Sequence, residues 1–391
     1  MSLGPREPRS LLDRVERLLG RSRRVLAPLA RPGYFSRRAP AAPPRRVLLI
    51  AGHWLGDTFW ASQVVPTLEE RLGAELWVAT KARAQALWEG LVPRERVVVV
   101  EHVVSDRRRE AFSWRGLLGE GRRLRALRAD LVLDLMGNRY SALLSFLARP
   151  GRAYGCDRSE LSWLYSRPTA PFAPGQHLAL RPWVALEQAL EGATAALEVL
   201  LRPRLLGPPS APLEPTCARL GLEPGAAFAV LAPGAGWANK RWPAARFAAL
   251  ARALSERGLE PLVVGSAGER ALLEEVGAGA PGARALPGLP LDETRLLLER
   301  ARLVVANDSG LGHLAAAAGV PVVSLFSSTN PALYRPLGPR VRVLRGECPA
   351  RPEGAQAHCH GRAEHACPPS CWDALSVARV LAACDEAQAQ A

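Results

Sequence analysis

The chain has 391 residues, 48% apolar and 23% charged, which suits two domains of ~100–200 residues with real cores and excludes broad disorder. Its longest run without Asp, Glu, Lys or Arg, residues 309–334, is broken by His, Asn, Pro and Ser, so no segment reads as a transmembrane helix. Of the net charge of +14, residues 1–46 hold +9 (twelve Arg against Glu7, Asp13 and Glu16), so the basicity belongs to a tail and gives no general case for nucleic-acid binding.

Residues 10–30 place Leu11, Leu12, Val15, Leu18 and Leu19 on one helical face with Arg on the other. That pattern fits an anionic membrane surface, or equally a tail packed on its own domain. No hydrophobic signal region precedes a cleavage site, and a cytosolic protein with mostly reduced thiols is the expectation for the seven cysteines. Residues 37–46 are Pro-rich and break any helix.

From Arg46 the pattern alternates. Strands are expected at 47–51, 75–79, 97–100 and 131–135, with helices at 58–72, 82–89 and 115–129. Residues 201–225, rich in Pro and Gly, read as a linker. A second series follows, with strands at 228–231, 261–264, 303–306 and 320–326 and helices near 243–257, 268–277, 291–301 and 311–318. Two βαβ series imply two parallel sheets covered by helices, an α/β fold whose ligands bind just past the strand ends. The expected organisation is a basic extension at 1–45, domains at 46–200 and 226–371, and a terminal helix at 372–391.

The loop after the first strand, Gly52-His53-Trp54-Leu55-Gly56-Asp57-Thr58, is no GxGxxG. Gly56 permits a close turn, and Asp57 reads as a plain helix N-cap or as a carboxylate held for general-base work. The second series opens with a strand and then Ala232 to Pro243, where Gly234, Gly236, Lys240 and Arg241 precede a Pro-started helix. That is an anion site or a surface loop with a basic pair. Only two residues of the chain are Lys and only four are Asn, so Lys240 beside Asn239 weighs slightly toward function. Glu269, in Val264-Gly265-Ser266-Ala267-Gly268-Glu269, suits a ribose diol or a helix's first turn. The run Asn307-Asp308-Ser309-Gly310-Leu311-Gly312-His313 offers small residues and helix-start amides for a diphosphate, and a carboxylate for sugar hydroxyls. A Ser-His-Asp hydrolase reading is poor because GxSxG is absent, and His313 reads better as a buried structural residue.

These segments resemble one known family. GHWLGDTFWASQVVPTLEE, LVLDLMGNRYSALLSFLA, LAPGAGWANKRWPAARFAALA, VVGSAGE and ANDSGLGHLAAAAGVPVVSLFSSTNPALYRPLG are similar to the glycosyltransferase family 9 heptosyltransferases of lipopolysaccharide core assembly, over residues 46–385. The resemblance implies a GT-B fold, two Rossmann-like domains facing a cleft, and an inverting, metal-independent transfer of heptose from ADP-heptose. By motif position Asp57 would be the base and Lys240 would neutralise the diphosphate. Gly56, Gly234, Asp308, Ser309, Gly310, Gly312 and His313 would line the substrates, with Glu269 at the ribose. No cofactor is implied. The partners expected are the nucleotide sugar, a glycolipid acceptor and an anionic membrane surface met from the cytoplasm. A nucleotide-sugar epimerase or hydrolase of the same fold, or a non-catalytic sugar-nucleotide binder, are the competing readings. Separately, Cys348, Cys359, Cys367 and Cys371 are spaced C-x10-C-x7-C-x3-C without a CxxC pair. That group reads as a structural zinc site, a disulfide pair or an unligated loop.

Overall fold

A computed structural model describes residues 43–52, 54–101, 113–156, 161–166, 175–190, 204–205, 212–223, 225–347 and 369–389. The amphipathic stretch at 10–30 lies outside them. So do Cys348, Cys359 and Cys367 of the cysteine group, while Cys371 is described and buried. The chain forms two compact units, one of residues up to 174 with 179–195, the other of 175–178 with everything from 196 on.

In the first unit, β1 (Arg46–Ile50), α1 (Leu55–Ser62), α2 (Val65–Leu72), β2 (Glu75–Thr80), β3 (Val97–Val99), α3 (Trp114–Ala126), β4 (Leu131–Asp134), α4 (Arg139–Leu147), β5 (Arg152–Gly155) and α5 (Arg181–Leu190) follow in order. The five strands run parallel in the order β3-β2-β1-β4-β5. Parallel strands need both faces covered, which is why β1 and β4 read as unbroken apolar runs. Leu48, Ile50 and Val132 are fully buried beneath Ala142 and Leu144 of α4. The single helix expected at 58–72 is two helices, because Pro66 near the start of α2 has no N–H to donate into a continuous ladder. Gly121 carries no Cβ, and one built there would stand 2.5 Å from Leu147 Cβ, so α3 and α4 meet more closely than any side chain would allow.

The second unit contains α6 (Leu213–Arg219), β6 (Phe228–Ala232), α7 (Ala244–Ser255), β7 (Glu260–Gly265), α8 (Arg270–Ala278), β8 (Arg284–Pro287), α9 (Leu291–Arg300), β9 (Leu303–Asn307), α10 (Gly310–Ala317), β10 (Val322–Phe326), β11 (Val341–Arg345) and α11 (Val377–Ala389). Its six strands are ordered β11-β10-β9-β6-β7-β8, all parallel. Within the stretch read as a linker, α6 is a formed helix, followed by Leu220 and Leu222, both buried. Its proline-rich composition concealed it. The terminal helix α11 is no separate appendage: Val380, Ala383, Cys384 and Ala387 join Leu231, Val263, Phe247 and Trp242 in one core. Burial pushes the Cys384 thiol up to about 12, so it is an inert packing residue.

In each sheet the strand order reverses direction beside the first strand, between β1 and β4 and between β6 and β9. Connections leave such a point toward opposite faces and open a crevice at the carboxyl ends of those strands. The loops after β1, β4, β6 and β9 are therefore where each unit can hold a ligand.

Candidate active site

In the second unit the ends of β6 and β9 lie side by side, with Ala232 opposite Ala306. Asn307 is fully buried, accepts a hydrogen bond from the Trp242 amide at 3.1 Å and donates one to the Pro233 carbonyl at 2.7 Å. Both ends of the Pro233–Trp242 loop are thereby tied to β9. Ser327 adds a third tie, donating to the Asn239 carbonyl at 2.6 Å. The fixed loop presents Lys240, whose Nζ lies 2.7 Å from Asp308 Oδ2. Thr329 donates to the same oxygen at 2.6 Å. Lys240 and Asp308 side chains are only 10% and 8% exposed, so the charges compensate one another in a largely dry setting. Lys240 Nζ also sits 5.8 Å from the Tyr334 ring centroid. An ammonium has three protons; one serves Asp308, and the group can still meet an anion.

Beside this pair α10 begins at Gly310. Ser309 is its N-cap residue, but its side chain makes no capping bond, and its hydroxyl is buried without a partner among the described residues. Gly312 would bring a Cβ to 3.4 Å from Pro336 Cγ, so little room is spare there. His313 is buried on α10. Asp308 is engaged by Lys240 and Thr329, which gives no support to a Ser-His-Asp arrangement. Glu269 closes a capping box instead of standing open: its Oε2 accepts from the Ser266 amide at 2.9 Å and hydroxyl at 2.7 Å. Its other oxygen occupies the space above Gly234, where a Cβ would fall 2.2 Å from it.

In the first unit the N-cap residue of α1 is Trp54, in extended conformation and without a side-chain cap. Asp57 is therefore not the cap the local pattern suggested, because the helix starts at Leu55, three residues before the expected start; it belongs to the first turn. Gly56 likewise lies inside α1, and the close turn falls to Gly52, whose Cβ would stand 2.9 Å from the Thr58 amide nitrogen. The Asp57 side chain is 40% exposed, and Arg181 at the start of α5 brings Nη1 to 3.9 Å from its Oδ1. Thr80 at the end of β2 donates to the Gly52 carbonyl at 3.0 Å and steadies the loop.

The loop after β4 is built on Asp134, which is fully buried. Burial pushes its carboxyl up, while the Tyr165 hydroxyl at 2.6 Å and the Gly137 and Met136 amides at 2.9 Å oppose that shift. Gly137 turns with φ +64°, and a Cβ there would meet Cys156 at 2.9 Å. Sequence reasoning gave no role to Thr329, Ser327, Arg181, Asp134 or Tyr165, and named Asn307 only as part of its run. Rarity of Asn was the available signal for Asn307; the others are assembled by tertiary contact alone.

Among the described residues no group of His, Cys, Asp and Glu is arranged to hold a metal ion, and no helix is long and apolar enough to cross a membrane.

The profile of glycosyltransferase family 9 (heptosyltransferase) matches residues 119–361. Lipopolysaccharide heptosyltransferase 1 of Pseudomonas aeruginosa is 32% identical over 333 residues, 78% of this chain and 85% of that protein. The chain belongs to glycosyltransferase family 9. Lipopolysaccharide heptosyltransferase 2 of Escherichia coli matches this family 9 enzyme more locally, 33% identical over 33% of this chain and 39% of its own. Among solved structures, E. coli ADP-heptose lps heptosyltransferase II superposes with a TM-score of 0.66 at 24% identity, over 88% of this chain and 99% of that one. E. coli heptosyltransferase WaaC with ADP gives 0.63 at 22% identity, over 88% and 99%. The family 9 enzyme thus has the GT-B fold, with two parallel α/β sheets of Rossmann-like strand order. It is a glycosyltransferase of the heptosyltransferase family.

Proposed function

We propose that this glycosyltransferase moves a heptose, with inversion, from ADP-heptose to a sugar of the lipopolysaccharide core. The long match, to a lipopolysaccharide heptosyltransferase, supports the heptose and the acceptor, and one superposed enzyme is named as an ADP-heptose lps heptosyltransferase. The observation that carries the donor half is the Lys240–Asp308–Thr329 cluster beside the uncapped start of α10. An ammonium and free backbone N–H groups are what a departing diphosphate needs; Ser309 suits a diphosphate oxygen and Asp308 suits sugar hydroxyls.

In this reading Asp57 takes the proton of the attacking acceptor hydroxyl as its oxygen bonds to the anomeric carbon. The bond from that carbon to the diphosphate oxygen breaks, its electron pair leaving with ADP, and the anomeric configuration inverts. Lys240 and the first amides of α10 meet the negative charge that grows on the leaving group. Glu269 has its carboxylate engaged with Ser266, so a ribose contact would use the oxygen above Gly234. The finer partner and location readings go with this proposal: a lipid-linked, anionic acceptor at the cytoplasmic leaflet, approached by the basic residues 1–45.

The test mixes purified protein, ADP-heptose and a delipidated core acceptor and follows ADP. Release that requires the acceptor, with a heptosylated product by mass, is expected, and EDTA should not slow it. Release of equal size without acceptor identifies a hydrolase; binding of ADP-heptose with no release identifies a non-catalytic binder. Either result overturns the proposal.

A further inference from the structure

We infer that the outward face of α3 docks on anionic lipid. The exposed large apolar side chains among the described residues are Trp114, 36% exposed, and Leu118, 44% exposed. Both stand on this one helix, four residues apart and so on the same face. At 3.6 residues per turn Arg125, Arg122 and Arg115 join them within an arc of about 100°, and the five positions span ~17 Å along the axis. All three arginines are exposed. The acid of this helix, Glu120, faces inward: it is buried and accepts from the Glu101 amide at 2.6 Å. Leu117, Gly121 and Leu124 fill the rest of the buried side. The outward arc is therefore cationic and apolar with no carboxylate on it.

That combination selects its occupant. An indole beside an aliphatic side chain fits the boundary between headgroups and acyl chains, and guanidinium groups bind lipid phosphates in pairs of hydrogen bonds. A second copy of the chain would bring the same arginines against these, and residues 1–46, at net +9, are repelled as well. RNA offers phosphates and stacking for Trp114, but nothing that rewards burying Leu118. The face uses none of the residues of the basic extension or of the candidate active site, so it requires no assumption about the sugar transferred.

The test uses the full chain and co-sedimentation with vesicles of phosphatidylcholine alone or mixed with phosphatidylglycerol. Binding should need the anionic lipid. Arg115→Gln/Arg122→Gln/Arg125→Gln should lower the partition coefficient by about 100-fold, and Trp114→Ser/Leu118→Ser by about 10-fold, with melting temperature little changed because all five side chains are exposed. Arg270→Gln/Arg300→Gln/Arg302→Gln, an equal loss of exposed charge in the other unit, should leave partition nearly unchanged. Brominated lipid should quench the wild-type fluorescence more than that of Trp114→Phe. Equal loss in the control triple variant, unchanged partition in both α3 variants, or equal quenching overturns the inference. So does loss of RNA binding or self-association in the α3 variants while vesicle binding persists.

Discussion

The ends of β9 and β1 each border the switch point of their own sheet and are built in opposite ways. At β9, Asp308, Lys240 and Thr329 form a buried, mutually bonded set, and Asn307 beside them fixes the loop through the Trp242 amide and the Pro233 carbonyl. At β1, Asp57 is part-exposed, and its ion-pair partner Arg181 stands 3.9 Å away, beyond hydrogen-bond reach. Preformed polar networks place a leaving group with little reorganisation, whereas a base must be reachable by the proton it takes. The contrast predicts that the β9 side carries stability as well as binding, and the β1 side carries chemistry with little stability.

The largest effect expected is on turnover at β1. Asp57→Asn should cost ~10²–10⁴-fold in kcat for loss of a general base while the donor still binds and the melting temperature hardly moves. Turnover near that of the wild type in a coupled ADP assay removes Asp57 from the chemistry, and a large drop in melting temperature erases the contrast itself. At β9 the balance reverses. Lys240→Ala strands a buried carboxylate and should cost about 3–5 kcal/mol of stability by urea titration, with weaker ADP binding. Lys240→Arg should recover only part of both, because a planar fork replaces a compact charge. A variant as stable as the wild type would mean the pair is not buried in solution.

Smaller again is Gly234→Ala. Its methyl group displaces the Glu269 carboxylate and opens the capping box with Ser266, a loss of about 1 kcal/mol readable as a shift in the unfolding midpoint. Smallest at neutral pH, and growing only on acidification, is a pH dependence. His177 bonds the Arg335 carbonyl at 3.0 Å, and burial lowers its pKa from 6.5 to about 4. The folded protein therefore binds fewer protons than the unfolded chain between those values, and stability present above pH 6.5 is lost as the pH falls toward 4. His177→Gln should flatten that slope in melting curves; an unchanged slope would assign it to other groups.

The buried strands were legible because a parallel strand covered on both faces is an apolar run, and β1, β4, β6 and β9 fall within a residue or so of expectation. The outer strands β8 and β11 escaped notice: both are only half-buried and carry Arg284, Arg342 and Arg345, so nothing in their pattern demands a sheet. Candidate residues were legible where they follow a strand, as Asp57, Lys240 and Asp308 do. Their partners were not, since Lys240 and Asp308 are 68 residues apart and only the strand order brings them together. Local spacing also misplaced the start of α1 by three residues. The side chains that usually signal an N-cap are absent at Trp54, and the acid at Asp57 took their place in the reading.

The way the chain is divided between its units has a consequence for inheritance. Residues 175–178 belong with the second unit although 179–195 return to the first. A recombination event or an engineered chimera that exchanged everything after residue 195 would deliver a second unit with its His177 segment drawn from the wrong parent. The Arg335 carbonyl would then face a foreign side chain. Crossovers placed before residue 175 keep that segment with its own unit but carry α5, and with it Arg181, away from Asp57. Neither cut is clean, and halves exchanged between family members should function best when both parents match at Asp57, Arg181 and His177 together.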